Sequence, residues 1–309
     1  MKIQRPNLLR EGDTVALLCP SSPLVDQSQL PAIIRATESL GVRVKAFPTT
    51  ALRDDYQAGS VKQRAADLTR AFLDPKIDGI LCVRGGYSAG HMIPVIDWKK
   101  LGATKKFFSG ISDLTTVMVP LMTDGNLISL HGPWMGFFLK TDPPSMRSHA
   151  ALRQFMYQGW RGVSYRELCG ADFVPETIVR GTARGRIIGG NLSVFTAMIG
   201  TPAIPRRGNY ILFIEDVGEK AYRVDRYITQ LIQSGFMNNV RGIVLGQFTD
   251  CPPATNDRDD AMTVLRRMLK PLKIPTIAGL PVGHDRPSYP LPIGEEAELN
   301  ANRGDLVLL

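Results

Sequence analysis

The chain has 309 residues, 44% of them apolar, and a formal net charge of +8. That length carries a large core and roughly two domains, and mixed charge with this apolar share is ordinary globular composition. The N-terminal MKIQRPNLLREGDT has no apolar stretch of a secretory signal. No apolar run of about 18 residues exists, so no membrane helix is expected. The basic residues occur singly or in pairs such as Arg206-Arg207, and aromatics are only 7%. A nucleic-acid platform of interleaved basic and aromatic residues is therefore not expected, whereas an anionic substrate is compatible with the charge. The four cysteines, Cys19, Cys82, Cys169 and Cys251, form no C-x-x-C pair and read as buried thiols of a reduced compartment.

In chain order, Thr14–Cys19 is an apolar strand ended by Pro20-Ser-Ser-Pro23. Gln27–Leu40 has helical spacing and Gly41 stops it. Val42–Phe47 is a strand, Val61–Leu73 a helix with Ala65, Leu68 and Phe72 on one face, and Gly79–Val83 a third strand. The turn Arg84-Gly85-Gly86-Tyr87 follows, then a short helix to about Ile96. Phe107–Ser109 is the next strand. A sharp turn at Gly110-Ile-Ser112 leads into a helix, and a strand lies near Leu127–Leu130. Strands alternating with helices predict parallel βαβ units of an α/β fold. Ligands of such sheets bind at the carboxyl ends of the strands. Ser21-Ser22, the glycine pair and Ser112 all fall on that edge.

From Thr141 the pattern breaks down. Asp142-Pro-Pro-Ser145 reads as a turn and Ser148–Tyr157 as a helix, so 143–178 is expected to connect domain 1–142 to domain 179–309. In the second half, Tyr210–Ile214 is a strand ended by Glu215-Asp-Val-Gly-Glu219, and Tyr222–Gln233 is a helix. Arg241–Gly246 is a strand, Asp259–Leu269 a helix, Thr276–Leu280 an extended lead into Pro281-Val-Gly-His284, and Ala297–Leu309 a hairpin.

A serine at a strand-to-helix turn presents its hydroxyl beside backbone N–H groups, the arrangement of a nucleophile elbow. Ser112 fits in part: G-x-S-x-G needs glycine at 114, where this chain has Leu114. The other reading is a plain helix-start serine satisfied by backbone. The glycine pair is either an anion cradle or a tight turn; it forms neither a G-x-G-x-x-G fingerprint nor a P-loop. A serine nucleophile requires a base and an orienting carboxylate. Of the four histidines, His149 is expected exposed and His91 sits in the helix after the glycine turn. His131 and His284 follow strands, with His284 in a Gly-His-Asp-Arg-Pro loop. Glu215, at the end of its strand, is the leading carboxylate; Asp216 and Glu219 are alternatives, and spacing does not separate them.

An ordered series of motifs resembles the LD-carboxypeptidases, the serine peptidase family that also holds the microcin-immunity peptidases. Leu9-Arg-Glu-Gly-Asp-Thr-Val15 with Cys19-Pro-Ser-Ser22 looks like the family's opening. Val83-Arg-Gly-Gly-Tyr87, Gly110-Ile-Ser-Asp-Leu-Thr115 and His131-Gly-Pro133 come next. Gly189-Gly-Asn-Leu-Ser193, Phe213-Ile-Glu-Asp-Val-Gly-Glu219, Tyr222-Arg-Val-Asp-Arg226, Gly283-His284 and Leu291-Pro-Ile-Gly294 complete the series. The resemblance implies a doubly wound parallel-sheet N-terminal domain, flavodoxin/amidotransferase-like, and a β-rich α/β C-terminal domain with the active site in the cleft between them. It implies Ser112 as nucleophile, Glu215 as carboxylate, His284 as base, and the Gly86 and Asp113 amides as oxyanion donors. The Asp113 carboxylate is expected to cap the helix or to be solvated. Arg84 is the candidate for a substrate carboxylate, with a structural ion pair as its alternative.

The implied substrate is murein tetrapeptide, with an acyl-sulfamoyl-adenylate as the alternative. The implied setting is a cytoplasmic homodimer with no metal, no cofactor, no nucleic acid and no membrane. A non-catalytic protein holding a small anion is the reading from another class. Two departures from the family pattern stand out: Ser88, where family members often carry Gly, and Pro120, which is expected to end or kink the helix after the turn.

Overall fold

The computed structural model describes residues 3–253 and 258–309. The chain divides into two compact units, 1–159 with 290–292, and 160–289 with 293–309.

The first unit is built on five parallel strands: β1 (Thr14–Leu18), β2 (Arg43–Ala46), β3 (Gly79–Cys82), β4 (Phe107–Gly110) and β5 (Ser129–His131). Their order is β5-β4-β3-β1-β2, and the later strand Leu291–Ile293 extends the sheet beside β5. β3, β4 and β5 are buried at every residue, as apolar strands covered on both faces must be. The helices are α1 (Leu30–Glu38), α2 (Val61–Leu73), α3 (Trp98–Gly102), α4 (Thr115–Thr123) and α5 (Pro143–Tyr157). α2 starts at a capping box made by Ser60 and Gln63.

Three expectations are corrected here. α4 is not ended by Pro120; it runs three residues further. Every residue from Thr115 to Met122 is buried, and that burial offsets the one bond a proline removes. The short helix after Tyr87 is a 3-10 segment, Ala89–Val95. The Asp142-Pro-Pro-Ser145 "turn" is a helix start: the Asp142 side chain accepts from Ser145 N–H, with the prolines in the first turn of α5. The segment 143–178 therefore divides, with α5 in the first unit and the remainder from Trp160 in the second.

The second unit adds α6 (Tyr165–Cys169), α7 (Leu192–Ala197), α8 (Ala221–Gln233) and α9 (Ala261–Leu269). Its strands are β6 (Glu176–Val179), β7 (Thr182–Asn191), β8 (Tyr210–Val217), β9 (Val240–Thr249), β10 (Thr276–Ala278), β12 (Glu296–Asn300) and β13 (Asp305–Leu308), β11 being the strand Leu291–Ile293 of the first sheet. A seven-stranded sheet runs β13-β12-β7-β8-β9-β10-β6. Its central strands β7 to β10 are parallel, and β6, β12 and β13 join antiparallel. β8 is longer than the sequence suggests, so Glu215 lies within it. The pairing of β8 with β9 shifts register between Ile214 and Asp216, a bulge of the kind that re-aims side chains.

All four cysteines are free and buried, and burial pushes the Cys251 thiol up to about 11. Among the described residues no helix is long and apolar enough to cross a membrane, and no three His, Cys, Asp or Glu group to hold a metal ion.

Candidate active site

In the first unit the chain leaves β4 through Ile111, which is extended, and reverses at Ser112, whose φ is +62°. A serine in the left-handed region is strained by about 1–3 kcal/mol, and such strain gathers at functional turns. A 3-10 turn, Ser112–Leu114, then feeds α4. No side chain caps either helix start. Leu114 has its place in this elbow. A Cβ on Gly110 would come within 2.5 Å of Leu114 Cδ1, so the glycine before the serine makes room for the leucine after it. The threonines that follow lock the turn: Thr115 Oγ1 donates to the Ser112 carbonyl and Thr116 Oγ1 to the Asp113 carbonyl, both at 2.7 Å.

The glycine turn packs directly on this elbow. A Cβ on Gly85 would lie 2.7 Å from Ser112 Cβ, 2.8 Å from the Ile111 carbonyl oxygen and 3.3 Å from the Asp113 amide nitrogen. Gly86 has φ +126°, and a Cβ there would meet Ser22 at 2.3 Å. The Ser22 hydroxyl accepts from Tyr87 N–H at 3.0 Å. Both glycines are thus required by close approach. Ser88 holds φ +97°, a conformation glycine adopts at no steric cost.

The Asp113 carboxylate corrects the expectation of a cap or a solvated group. It is only 4% exposed, and it accepts from the Ser21 hydroxyl and from Ala89 N–H. Burial raises its pKa against these bonds and the nearby Arg64. Arg84 is half-buried and donates to the Pro23 carbonyl at 3.2 Å; among the described residues no carboxylate pairs with it.

In the second unit, β8 delivers Glu215 fully buried. Its Oε2 lies 2.6 Å from His284 Nδ1. With the Nδ1 proton given to the carboxylate, Nε2 keeps the lone pair a general base needs. Burial alone would lower the His284 pKa. Attraction and hydrogen bonding to Glu215, with Asp216 and Asp285 further off, outweigh it and hold the group above its ordinary 6.5.

The loop bearing His284 is fastened by side chains. Gln247, at the end of β9, accepts from Asp285 N–H through Oε1 and donates through Nε2 to the Pro287 carbonyl, both at 2.9 Å. Ser288 Oγ accepts from Gly283 N–H at 3.2 Å and donates to the Gly283 carbonyl at 2.9 Å. Asp216 and Glu219, the rival carboxylates, are engaged elsewhere. Asp216 accepts from Ser193 N–H and Asn191 Nδ2. Glu219 pairs with Arg223 at 2.7 Å. Neither caps α8, whose start has no side-chain cap.

Of the remaining histidines, His131 ends β5 in the first unit, fully buried and paired in register with Gly110 of β4, two residues before Ser112. His91 is exposed against the Tyr87 ring. His149, expected exposed, is half-buried: its Nε2 lies 3.0 Å from Ser39 Oγ and its ring meets Phe138 edge-on. Residues that sequence reasoning missed are Arg64, Gln247, Ser288 and the carboxylate of Asp113. One signal was present. Arg64 stands four residues before Leu68 and eight before Phe72, on the apolar stripe of α2, and it is 0% exposed.

Comparison with known proteins gives a consistent answer. Residues 15–132 match the LD-carboxypeptidase N-terminal domain and residues 184–299 the LD-carboxypeptidase C-terminal domain. A probable murein peptide carboxypeptidase of Bacillus subtilis is 32% identical over 96% of this chain and 91% of its own length. A murein tetrapeptide carboxypeptidase of Pseudomonas aeruginosa is 31% identical over 94% of each. A microcin C7 self-immunity protein of Escherichia coli is 26% identical over 93% of this chain and 90% of its own. The crystal structure of a muramoyltetrapeptide carboxypeptidase from Oxalobacter formigenes superposes with a TM-score of 0.81 at 27% identity, covering 96% of this chain and 97% of that one.

Proposed function

This chain belongs to the LD-carboxypeptidase family and is a serine-type carboxypeptidase, a hydrolase; from that premise we propose that it cleaves the amide bond joining an L-configured centre to the C-terminal D-alanine of murein tetrapeptide. Ser112 is the nucleophile, His284 the base and Glu215 its orienting carboxylate. One observation carries the assignment of roles: the 2.6 Å contact of His284 Nδ1 with the buried Glu215 Oε2, which picks one histidine of four and one carboxylate of three.

His284 Nε2 takes the Ser112 proton as Oγ attacks the carbonyl carbon. The tetrahedral oxyanion is held by the Gly86 and Asp113 amides, each worth on the order of 3 kcal/mol when aimed at it. Collapse breaks the C–N bond, and the imidazolium gives its proton to the leaving D-alanine amine. Water, activated by the same imidazole, then releases the acyl group and restores the serine. Arg84, which no carboxylate among the described residues pairs with, is the proposed partner of the substrate's terminal carboxylate. The reading carries with it a cytoplasmic enzyme that works as a homodimer in peptidoglycan recycling.

The test is incubation with murein tetrapeptide, the product read by mass. Loss of one alanine supports the reading, and an unchanged tetrapeptide contradicts it. The second reading, cleavage of an acyl-sulfamoyl-adenylate, is favoured by the relative named for microcin C7 self-immunity. A parallel assay on that substrate class separates the two.

A further inference from the structure

Two buried charges grip one peptide group. The guanidinium of Arg64, 0% exposed, donates through Nη1 to the Ser88 carbonyl at 2.9 Å. Asp113, on the elbow, accepts the Ala89 N–H at 2.8 Å. The Ser88 C=O and the Ala89 N–H are the two poles of a single peptide unit, so the cation holds its negative pole and the anion its positive pole. The same two charges also hold the loop after β1: Arg64 Nη1 takes the Pro20 carbonyl at 3.1 Å, and Asp113 takes the Ser21 hydroxyl at 2.5 Å. Arg64 is completed by the Gly59 carbonyl at 3.0 Å and Gln57 Oε1 at 2.6 Å.

Burying two charges is costly unless every bond is made. Burial raises Asp113 and lowers Arg64 from their ordinary values, and each is partly restored by attraction to the other. A pair of apolar side chains would fill this space without that cost. What apolar residues would not do is fix the register of three loops, those after β1, β3 and β4, to the elbow.

We propose that the Asp113 carboxylate, with Arg64, is the positioning device that sets the Gly86 and Asp113 amides against the Ser112 hydroxyl, a role that rests on Ser112 being the nucleophile. Asp113 then acts twice, its amide toward the oxyanion and its carboxylate toward the loop bearing the other donor. Both of its bonds fall on one oxygen, Oδ2. An asparagine therefore keeps both through a single carbonyl oxygen and removes only the charge, whereas alanine removes both.

The experiment compares wild type, Asp113→Ala and Asp113→Asn at a temperature where circular dichroism shows each folded. It measures phosphonylation of Ser112 by a fluorophosphonate probe, and kcat and KM on murein tetrapeptide. Alanine is expected to lower the phosphonylation rate and kcat by about 100-fold, the effect of a donor misplaced by about 1 Å. KM should stay within about twofold, as fits an interaction used only in the transition state, and asparagine should recover to within about tenfold of wild type.

A merely structural role predicts a lower Tm with wild-type rates per folded molecule, and that result overturns the proposal. Should Asp113→Ala fail to fold, Ser21→Ala removes one donor and leaves the carboxylate. A kcat reduced at constant KM then supports the proposal, and an unchanged kcat overturns it. Wild type unlabelled at Ser112 overturns the nucleophile assignment and the proposal with it. Labelled wild type with variants at the wild-type rate overturns the positioning role alone.

Discussion

Ser112 and His284 are held by different means. The elbow is fixed by backbone: a serine at φ +62°, glycines at 85 and 110 where a Cβ would come within 3 Å of Ser112 or Leu114, and a peptide unit clamped by buried charge. The His284 loop is fixed by side chains: the Glu215 carboxylate on the ring, Gln247 on the backbone either side of it, and Ser288 closing the base of the loop. A backbone-built device tolerates no added atom. A side-chain-built device tolerates small additions and fails by truncation. The Ser112 elbow and the His284 loop are therefore expected to have opposite mutational sensitivities.

The sharpest break is His284→Ala, which should lower kcat on the order of 10⁶-fold, as loss of a triad base does elsewhere. His131→Ala, by contrast, deletes a buried ring of the first unit and should act on Tm more than on turnover; the reverse pattern would hand the base role to His131. Glu215→Gln should cost about 10⁴-fold by releasing the imidazole's orientation and tautomer. Asp216→Asn and Glu219→Gln should cost far less.

The pH profile reports the same contact. Glu215 holds His284 above 6.5, so the imidazole is protonated, and useless as a base, up to a higher pH than an ordinary histidine. The acidic limb of kcat/KM should thus lie above 6.5 in wild type and move down in Glu215→Gln; a limb that does not move would detach the two groups.

Gly85→Ala sharpens the other half. Its Cβ would stand 2.7 Å from Ser112 Cβ, and displacement of the elbow by about 1 Å should cost about 100-fold in kcat. The smallest effect belongs to Gln247→Ala, where two neutral hydrogen bonds at about 1 kcal/mol each leave the loop intact but loose. A kcat reduced by about tenfold is expected there, with Tm lowered by only a few degrees for a chain of this size. Gln247→Glu keeps one of the two bonds and should fall between.

Much of the fold was legible because its signals are local. The α2 bounds, Val61 and Leu73, match the helix expected from Ala65, Leu68 and Phe72 on one face, and the parallel strands follow from unbroken apolar runs. The errors were also local. Pro143-Pro144 read as a turn although first-turn prolines suit a helix, and Pro120, expected to end or kink its helix, does not end it because burial carries the helix on to Thr123. The elbow was half legible. The spacing of Gly110, Ser112 and Leu114 argued against it until the Gly110–Leu114 packing gave the leucine a place. Pairing Glu215 with His284 was beyond local reasoning, since 69 residues separate them and a β-bulge sets the aim of the first. Arg64 was hidden for a different reason. A lone arginine on a helix looks solvated, and two of the carbonyls that satisfy it when buried come from distant loops.

The most direct test of the account is the site of covalent reaction. Wild-type protein is treated with a fluorophosphonate, digested, and the adduct located by peptide mass. The account predicts one adduct, on Ser112, absent from Ser112→Ala and strongly slowed in His284→Ala. An adduct on another serine, or an unlabelled wild type that still releases D-alanine from murein tetrapeptide, would contradict it.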